Sequence, residues 1–306
     1  MATILVTGGR GFIGTNLTAE LRSRGHDVWT SDILQGEDPL HLKADTGVYQ
    51  QMDAVFRKRR FDFVFHLAAE YGRWNGEDHY ENLWRTNVTG TKNVLRLQEQ
   101  HRFKMIFFSS AEVYGDYDGL MSEDVMERIP IKQMNDYAIS KWAGELQCLN
   151  HAAMFGTETV RVRPVGCYGP HEYYSPYRGV IPIMVYHSLM GRPFPVYRGH
   201  KRIFDYVEDT CRTFANIVEN FIPGEVYNVG GREDWVTSIE DLAALVLETT
   251  GAPARLAEYK GEEKFTTRVK VVDFSKARRD LRHGPKVDIR EGIRRYTAWA
   301  RKVYGA

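Results

Sequence analysis

Thr3 to Leu17 reads TILVTGGRGFIGTNL, and most of the fold follows from those fifteen residues. An apolar, β-branched run (3–7) stops at a pair of glycines, and an amphipathic pattern starts at once and continues to about residue 24. Gly8, Gly11 and Gly14 sit at the joint, spaced GxxGxxG between a predicted strand and a predicted helix. A turn without side chains lets backbone N–H groups and a helix N-terminus approach a pyrophosphate, with Phe12 and Ile13 opening the helix beside it. An isolated glycine pattern is weak evidence; its position between strand and helix gives it weight.

The alternation continues outward from this unit. The runs 27–31, 63–69, 105–110 and 159–164 read as strands, with a short strand ahead of Asp45. The segments 46–60, 80–100 and 136–155 read as helices. The strands are continuous apolar runs, as required when both faces of a sheet are covered. Strand–helix alternation of this kind predicts an α/β fold with a doubly wound parallel sheet. After Pro164 the texture changes to an aromatic, glycine- and proline-rich loop, GCYGPHEYYSPYRG (166–179), followed by shorter elements. The expected organisation is a nucleotide-binding domain over 1–164, a strand returning to it near 225–230, and a smaller, partly interwoven substrate lobe over 165–306 that closes with a helix near 288–304.

Composition narrows the partners. Of 306 residues, 43% are hydrophobic and 26% charged, and the net charge of +1 gives no reason to expect nucleic acid or a membrane surface. The basic run RKRR (57–60) closes a predicted helix, where cations complement the dipole. No stretch approaches the ~18 apolar residues of a membrane span, and the N-terminus lacks a signal-peptide pattern. Three widely separated cysteines have no metal-type spacing, so no metal is expected and a reducing, cytoplasmic setting is.

Two further patterns carry chemistry. Asp32 follows the second strand, where a carboxylate accepts from an adenosine ribose 2′-OH and repels a 2′-phosphate. NAD is therefore expected rather than NADP, with Arg10 the one nearby residue arguing the other way. Asp45, next to Thr46, is either an adenine contact or the N-cap of the following helix. In NDYAISKWAGE, Tyr137 and Lys141 lie four apart on one helix face behind a capping Asn135 or Asp136. A neighbouring cation favours phenolate, and tyrosine's ordinary pKa of about 10 must fall before it is a useful base at neutral pH.

Together these stretches resemble the extended short-chain dehydrogenase/reductase family, in its NAD-dependent nucleotide-sugar epimerase/dehydratase branch, and UDP-glucose 4-epimerase-like members in particular. TGGRGFIG, SDI, HLAA, RTNVTGTKNVL, SSAEVYG, YAISK, RPVGCYGP and RIFDYVED occur in family order. The resemblance implies a Rossmann domain that binds NAD, a smaller lobe for a nucleotide-diphosphate sugar, and a homodimer formed through the helices near 80–100 and 136–155. It implies Tyr137 as base, Lys141 as its tuner and nicotinamide-ribose ligand, and Ser110 bonded to the reacting hydroxyl. Leu67, Ala68, Ala69, Ser109 and Pro164 would border the cofactor, with Asn87 holding the cofactor-side network. Arg202, and more loosely Arg268, would bind diphosphate.

The reaction turns on Ser110-Ala111-Glu112. Dehydratases of this type show Thr-Asp-Glu there; Ala111 removes the Asp, which favours an epimerase. Dehydration or uronic-acid decarboxylation through Glu112 are the alternatives, and a non-catalytic NAD-binding relative is a remote one. Two departures from the family bear on the sugar. Gly166 replaces a substrate-contacting Asn, and EYGRWNGEDHYENLW (70–84) is an unusual aromatic and charged segment. From it Glu70, Tyr71, Arg73 and Trp74 are candidates to line the sugar pocket, consistent with a modified hexose, a heptose or a uronic acid.

Overall fold

The computed structural model describes residues 1–306. Seven strands form one sheet: β1 (Thr3–Thr7), β2 (Asp27–Asp32), β3 (His41–Lys43), β4 (Phe63–His66), β5 (Lys104–Phe108), β6 (Thr159–Pro164) and β7 (Val226–Val229). Their spatial order is β7-β6-β5-β4-β1-β2-β3, and every pairing is parallel. The order reverses between β1 and β4, which opens a crevice at the carboxyl ends of those strands. Thr7 and His66 bridge it by a 2.9 Å hydrogen bond between Oγ1 and Nδ1.

The continuous apolar strands are explained by two buried faces. On β1, Ile4 and Val6 join a core with Leu17 and Leu21 of α1 (Phe12–Ser23). Leu5, between them, points the other way, into a core with Met52 and Val55 of α2 (Tyr49–Lys58) and Val94 and Leu97 of α3 (Gly90–His101). The long helix α4 (Asp136–Phe155) completes that second layer, with Asn135 Oδ1 accepting from Ala138 N–H at 2.9 Å as its N-cap. A third core belongs to the smaller lobe, where α5 (Val180–Leu189), α7 (Ile239–Thr250) and α8 (Ile289–Tyr304) pack together. Between them in the chain, α6 (Val207–Ala215) instead covers the main sheet beside α1, through Cys211 and Phe214.

Several boundaries differ from expectation. The strands read as 63–69 and 105–110 end at His66 and Phe108, because their last residues turn out along the crevice. The helix read as 80–100 is broken. Short helices Arg73–Asp78 and Tyr80–Trp84 lead into a π-helical turn, Arg85–Thr89, before α3 begins. That wider turn directs Asn87 inward, where it is 2% exposed. In the basic run, Arg57 pairs with Asp53 and Arg59 with Asp27 at the surface.

A buried ion-pair network ties these layers at the working end. Glu145 of α4 is fully buried and receives two 2.8 Å hydrogen bonds from Arg163 of β6. Ser109 donates to the same carboxylate at 2.5 Å, and Arg161 lies 3.4 Å away. Arg163 also donates to Tyr114 Oη, which donates to Asn228 of β7. Burial opposes the charge on Glu145, but the two guanidinium groups hold its carboxyl below the usual carboxylate range. Removing one member of such a set strands the others in low dielectric. Glu145→Gln is therefore expected to cost about 3–5 kcal/mol of stability, read from urea unfolding against the parent protein.

Candidate active site

A single cleft of about 1130 Å³ runs from the glycine turn to the smaller lobe. One small ligand ordinarily takes ~300–1,000 Å³, so there is room for two molecules end to end. At one end, Gly11 precedes α1 as its N-cap with no side chain to cap it, so the first N–H groups of the helix face the cleft. A Cβ on Gly14 would stand 2.1 Å from Gly8 O, and one on Gly8, itself at φ +68°, 2.9 Å from Ala68 Cα. Only glycine permits this approach of turn, helix and the 67–69 strand end. Asp32, at the tip of β2, accepts from the backbone N–H of Arg10 and of Leu34, both at 3.0 Å, and has no cation partner. The carboxylate keeps capacity for a ribose hydroxyl. Phe12, Ile13, Ala44, Thr46, Leu67, Ala68, Ala69 and Pro164 line the same channel. This cradle fits an adenine dinucleotide with a free 2′-OH.

Asp45 resolves into neither of its expected roles alone. The helix begins at Tyr49 with Val48 in the cap position, so Asp45 is not its N-cap. Its carboxylate accepts from Gly47 N–H at 2.8 Å, pairs with Arg85 at 2.6 Å, and borders the cleft. Asn87 does not border it. Its Oδ1 accepts from Glu70 N–H at 2.8 Å and its amide donates to Glu70 O and to Ser140 Oγ, both at 3.0 Å. Asn87 thereby locks the cofactor-side loop to α4. Ser109 borders the cleft, but its hydroxyl is committed to Glu145.

Tyr137, Lys141, Ser110 and Glu112 meet at the middle of the cleft. Ser110 caps the short 3₁₀ turn Ala111–Tyr114, its Oγ accepting from Glu112 N–H at 3.2 Å, and its hydroxyl favours the ionised form of the Tyr137 phenol. Lys141 Nζ donates to Phe108 O at 2.9 Å and stands 6.0 Å from the Tyr137 ring centroid. Burial pulls its pKa down to about 8. The expected lowering of the tyrosine by this lysine is not found. Burial, with Tyr71 adding to it, pushes the Tyr137 phenol up, against the Ser110 hydroxyl. Desolvation outweighs a cation that is turned toward a carbonyl.

Glu112 is not a free carboxyl. It contacts the ammonium of Lys270, which is 5% exposed. Burial works against its charge, but Lys270, then Arg73 and Arg202, hold it below the usual range. Arg73 in turn pairs with Glu263 at 2.8 Å. Arg202 lines the cleft, donating to Lys201 O at 2.8 Å and Arg268 O at 2.9 Å. Arg268 does not line it; its side chain packs over Gly199. Glu70 lines the cleft with its oxygens held by Asn82 at 2.6 Å and Asn75 at 3.1 Å. Of the 70–84 segment, Tyr71 packs edge-on against Tyr137, ring centroids 5.4 Å apart, while Trp74 packs on Phe265 near the surface. Lys270, Glu263, Glu172 and Arg178 were not anticipated. Each reaches the cleft from the second half of the chain, and no local spacing marks them.

A parallel sheet with this switch point, an open helix N-terminus and a Ser–Tyr–Lys set beside it defines a nucleotide-dependent oxidoreductase-type site. The chain belongs to the NAD dependent epimerase/dehydratase family, whose model matches residues 4–230. It is 29% identical to the UDP-N-acetyl-alpha-D-glucosaminuronate decarboxylase of Bacillus cytotoxicus over 98% of each chain. It is 30% identical to the dTDP-glucose 4,6-dehydratase of Neisseria meningitidis serogroup B, over 98% of this chain and 93% of that one. The structure superimposes on a UDP-glucose 4-epimerase with UDP-glucose from Thermotoga maritima with a TM-score of 0.90, covering 99% of both chains at 28% identity. The relatives thus span three reactions that share one fold.

Asp32→Asn removes the charge and one of the two oxygens that accept from Arg10 and Leu34 N–H. It is expected to weaken NAD binding about ten- to hundredfold in calorimetric titration.

Proposed function

We propose that this protein epimerises the sugar of a nucleoside diphosphate sugar at C4 through a transient keto-sugar. The observation that carries this reading is Ala111 beside a Glu112 already ionised by Lys270. A 4,6-dehydratase must protonate a departing O6, and this strand end offers no protonated carboxyl group for it. An epimerase needs none. NAD, when bound, supplies the acceptor and then the donor of the electron pair. Tyr137 takes the proton of the C4 hydroxyl as its carbon becomes a carbonyl, and returns it when the alcohol is re-formed on the other face. Ser110 holds the same oxygen. Lys141, seated on Phe108 O, is placed to bond a ribose hydroxyl and to stabilise the phenolate once a ligand shields both from water. The buried phenol has to be brought down by the assembled site, so the base is made only when the cleft is filled.

Decarboxylation is the second reading. It uses the same oxidation step, it needs no acid at position 111, and the full-length relative from Bacillus cytotoxicus supports it. A carboxylate β to a new ketone leaves as CO₂ without a further base, its electron pair forming an enolate at C5 that takes a proton from solvent before hydride returns to C4. We also propose a cytoplasmic homodimer. Ile139, Leu146, Leu149 and Met154 are exposed along α4, a face suited to a second copy, and all three cysteines are free.

Tyr137→Phe is expected to lower turnover by about 10²–10⁴-fold while NAD still binds, because the ring volume is kept. Products from a panel of UDP- and dTDP-sugars in D₂O, followed by NMR, separate the readings. An equilibrating C4 epimer without deuterium at C5 supports epimerisation; CO₂ and a pentose support decarboxylation; deuterium at C5 with a 6-deoxy product would replace both by dehydration.

A further inference from the structure

Almost every cation at the sugar end of the cleft already has an acceptor. Arg73 has Glu263, Lys270 has Glu112, Lys141 has Phe108 O, and Arg202 has two backbone carbonyls. Arg178 is the exception. It makes no ion pair, and its guanidinium lies over the ring of Tyr71, 5.5 Å from the centroid. Tyr71 is the ring that packs against Tyr137, so this cation belongs to the wall beside the reacting carbon.

Beside it lies Glu172, 3% exposed, with no hydrogen-bond partner for its Oε2. Gly179 borders the same wall, where a Cβ would stand in ordinary contact, 3.8 Å from Tyr71 Oη and 3.9 Å from Glu172 Oε1. Burial raises the Glu172 pKa to about 8, with Arg178 the one group pulling it back. At neutral pH it is therefore mainly a carboxylic acid, an O–H donor.

This wall offers a fork of N–H donors, a positive charge and one O–H, and no anion. An uncharged hydroxymethyl group packed there would leave the guanidinium desolvated and unpaired. A carboxylate would satisfy both groups, since guanidinium matches it bidentately and a carboxylic acid donates to it strongly. We propose that the sugar is a hexuronate whose C6 carboxylate is held between Arg178 and Glu172. The proposal rests on the nucleotide-sugar reading of the site and narrows it to acidic sugars. Either of the two reactions considered above can act on such a substrate.

The test is calorimetric binding of UDP, dTDP, their glucose derivatives and their glucuronates to the whole protein. The parent is expected to prefer the glucuronate at least about tenfold over the matched glucose derivative. Arg178→Met should abolish that preference and leave bare UDP or dTDP binding unchanged, which also reports that the variant is folded. Glu172→Gln should keep the preference at pH 7.

The groups facing Glu172 are Tyr71, Arg178, Tyr296, Tyr304 and Cys167. None of the phenols or the thiol is pulled toward ionisation by it. Between pH 7 and 9 the titrating member is thus Glu172 itself, whose neutral form lies below its pKa. The preference should shrink at pH 9 in the parent and persist in Glu172→Gln. Equal binding of glucose and glucuronate forms at pH 7 would overturn the proposal. So would an Arg178→Met that weakens bare UDP or dTDP as much as the glucuronate, which would assign Arg178 to the diphosphate. Binding of none of these nucleotides would overturn the nucleotide-sugar reading beneath it.

Discussion

The buried pairing of Glu145 with Arg163 is the constraint on which the site depends. Tyr137, Lys141 and Glu145 are spaced i, i+4, i+8 and so share one face of α4. Glu145 can satisfy Arg163 of β6 in only one helix register, and that register delivers Tyr137 and Lys141 to the end of β5. The approach is close because Gly144 has no side chain. A Cβ there would meet Phe107 at 2.4 Å. Ser109, on the strand end that carries Ser110, donates to the same carboxylate. Strand end and helix face are thus referenced to one buried charge.

A second consequence is electrostatic. The cleft is bordered by several cations: Arg73 and Lys270 are paired with Glu263 and Glu112, while Lys141 and Arg202 donate to main-chain carbonyls. Ala111 carries no acid, and the neighbouring Glu112 is a charged partner of Lys270. Its field also reaches Tyr137, where it opposes phenolate formation. The tyrosine therefore rests as a phenol, packed beside Tyr71.

Much of this was legible in the order of residues. The strand–turn–helix reading of TILVTGGRGFIGTNL, the parallel sheet and the returning strand depend on periodicity and on glycine, which act over a few residues. The cap at Asn135 and the Tyr137–Lys141 face are local for the same reason. Where local reading failed, another force had intervened. The π turn at Arg85–Thr89 interrupts an apparently regular helix where Asn87 is buried, and Val48 rather than Asp45 precedes α2, with Asp45 paired to Arg85 and bonded to Gly47 N–H.

By itself, then, the order of residues determined the class of fold, the cofactor end of the cleft and the identity of the tyrosine, lysine and serine, since each is written in spacing along a single element. Only the tertiary structure decided which charges those residues meet. Lys270 lies 158 positions from Glu112, and Glu172 and Arg178 reach the site from a loop whose sequence shows only aromatic and glycine-rich texture. Whether a carboxyl group is ionised, or a guanidinium lacks a partner, depends on solvent exclusion and on groups brought together by folding, and spacing along the chain carries neither.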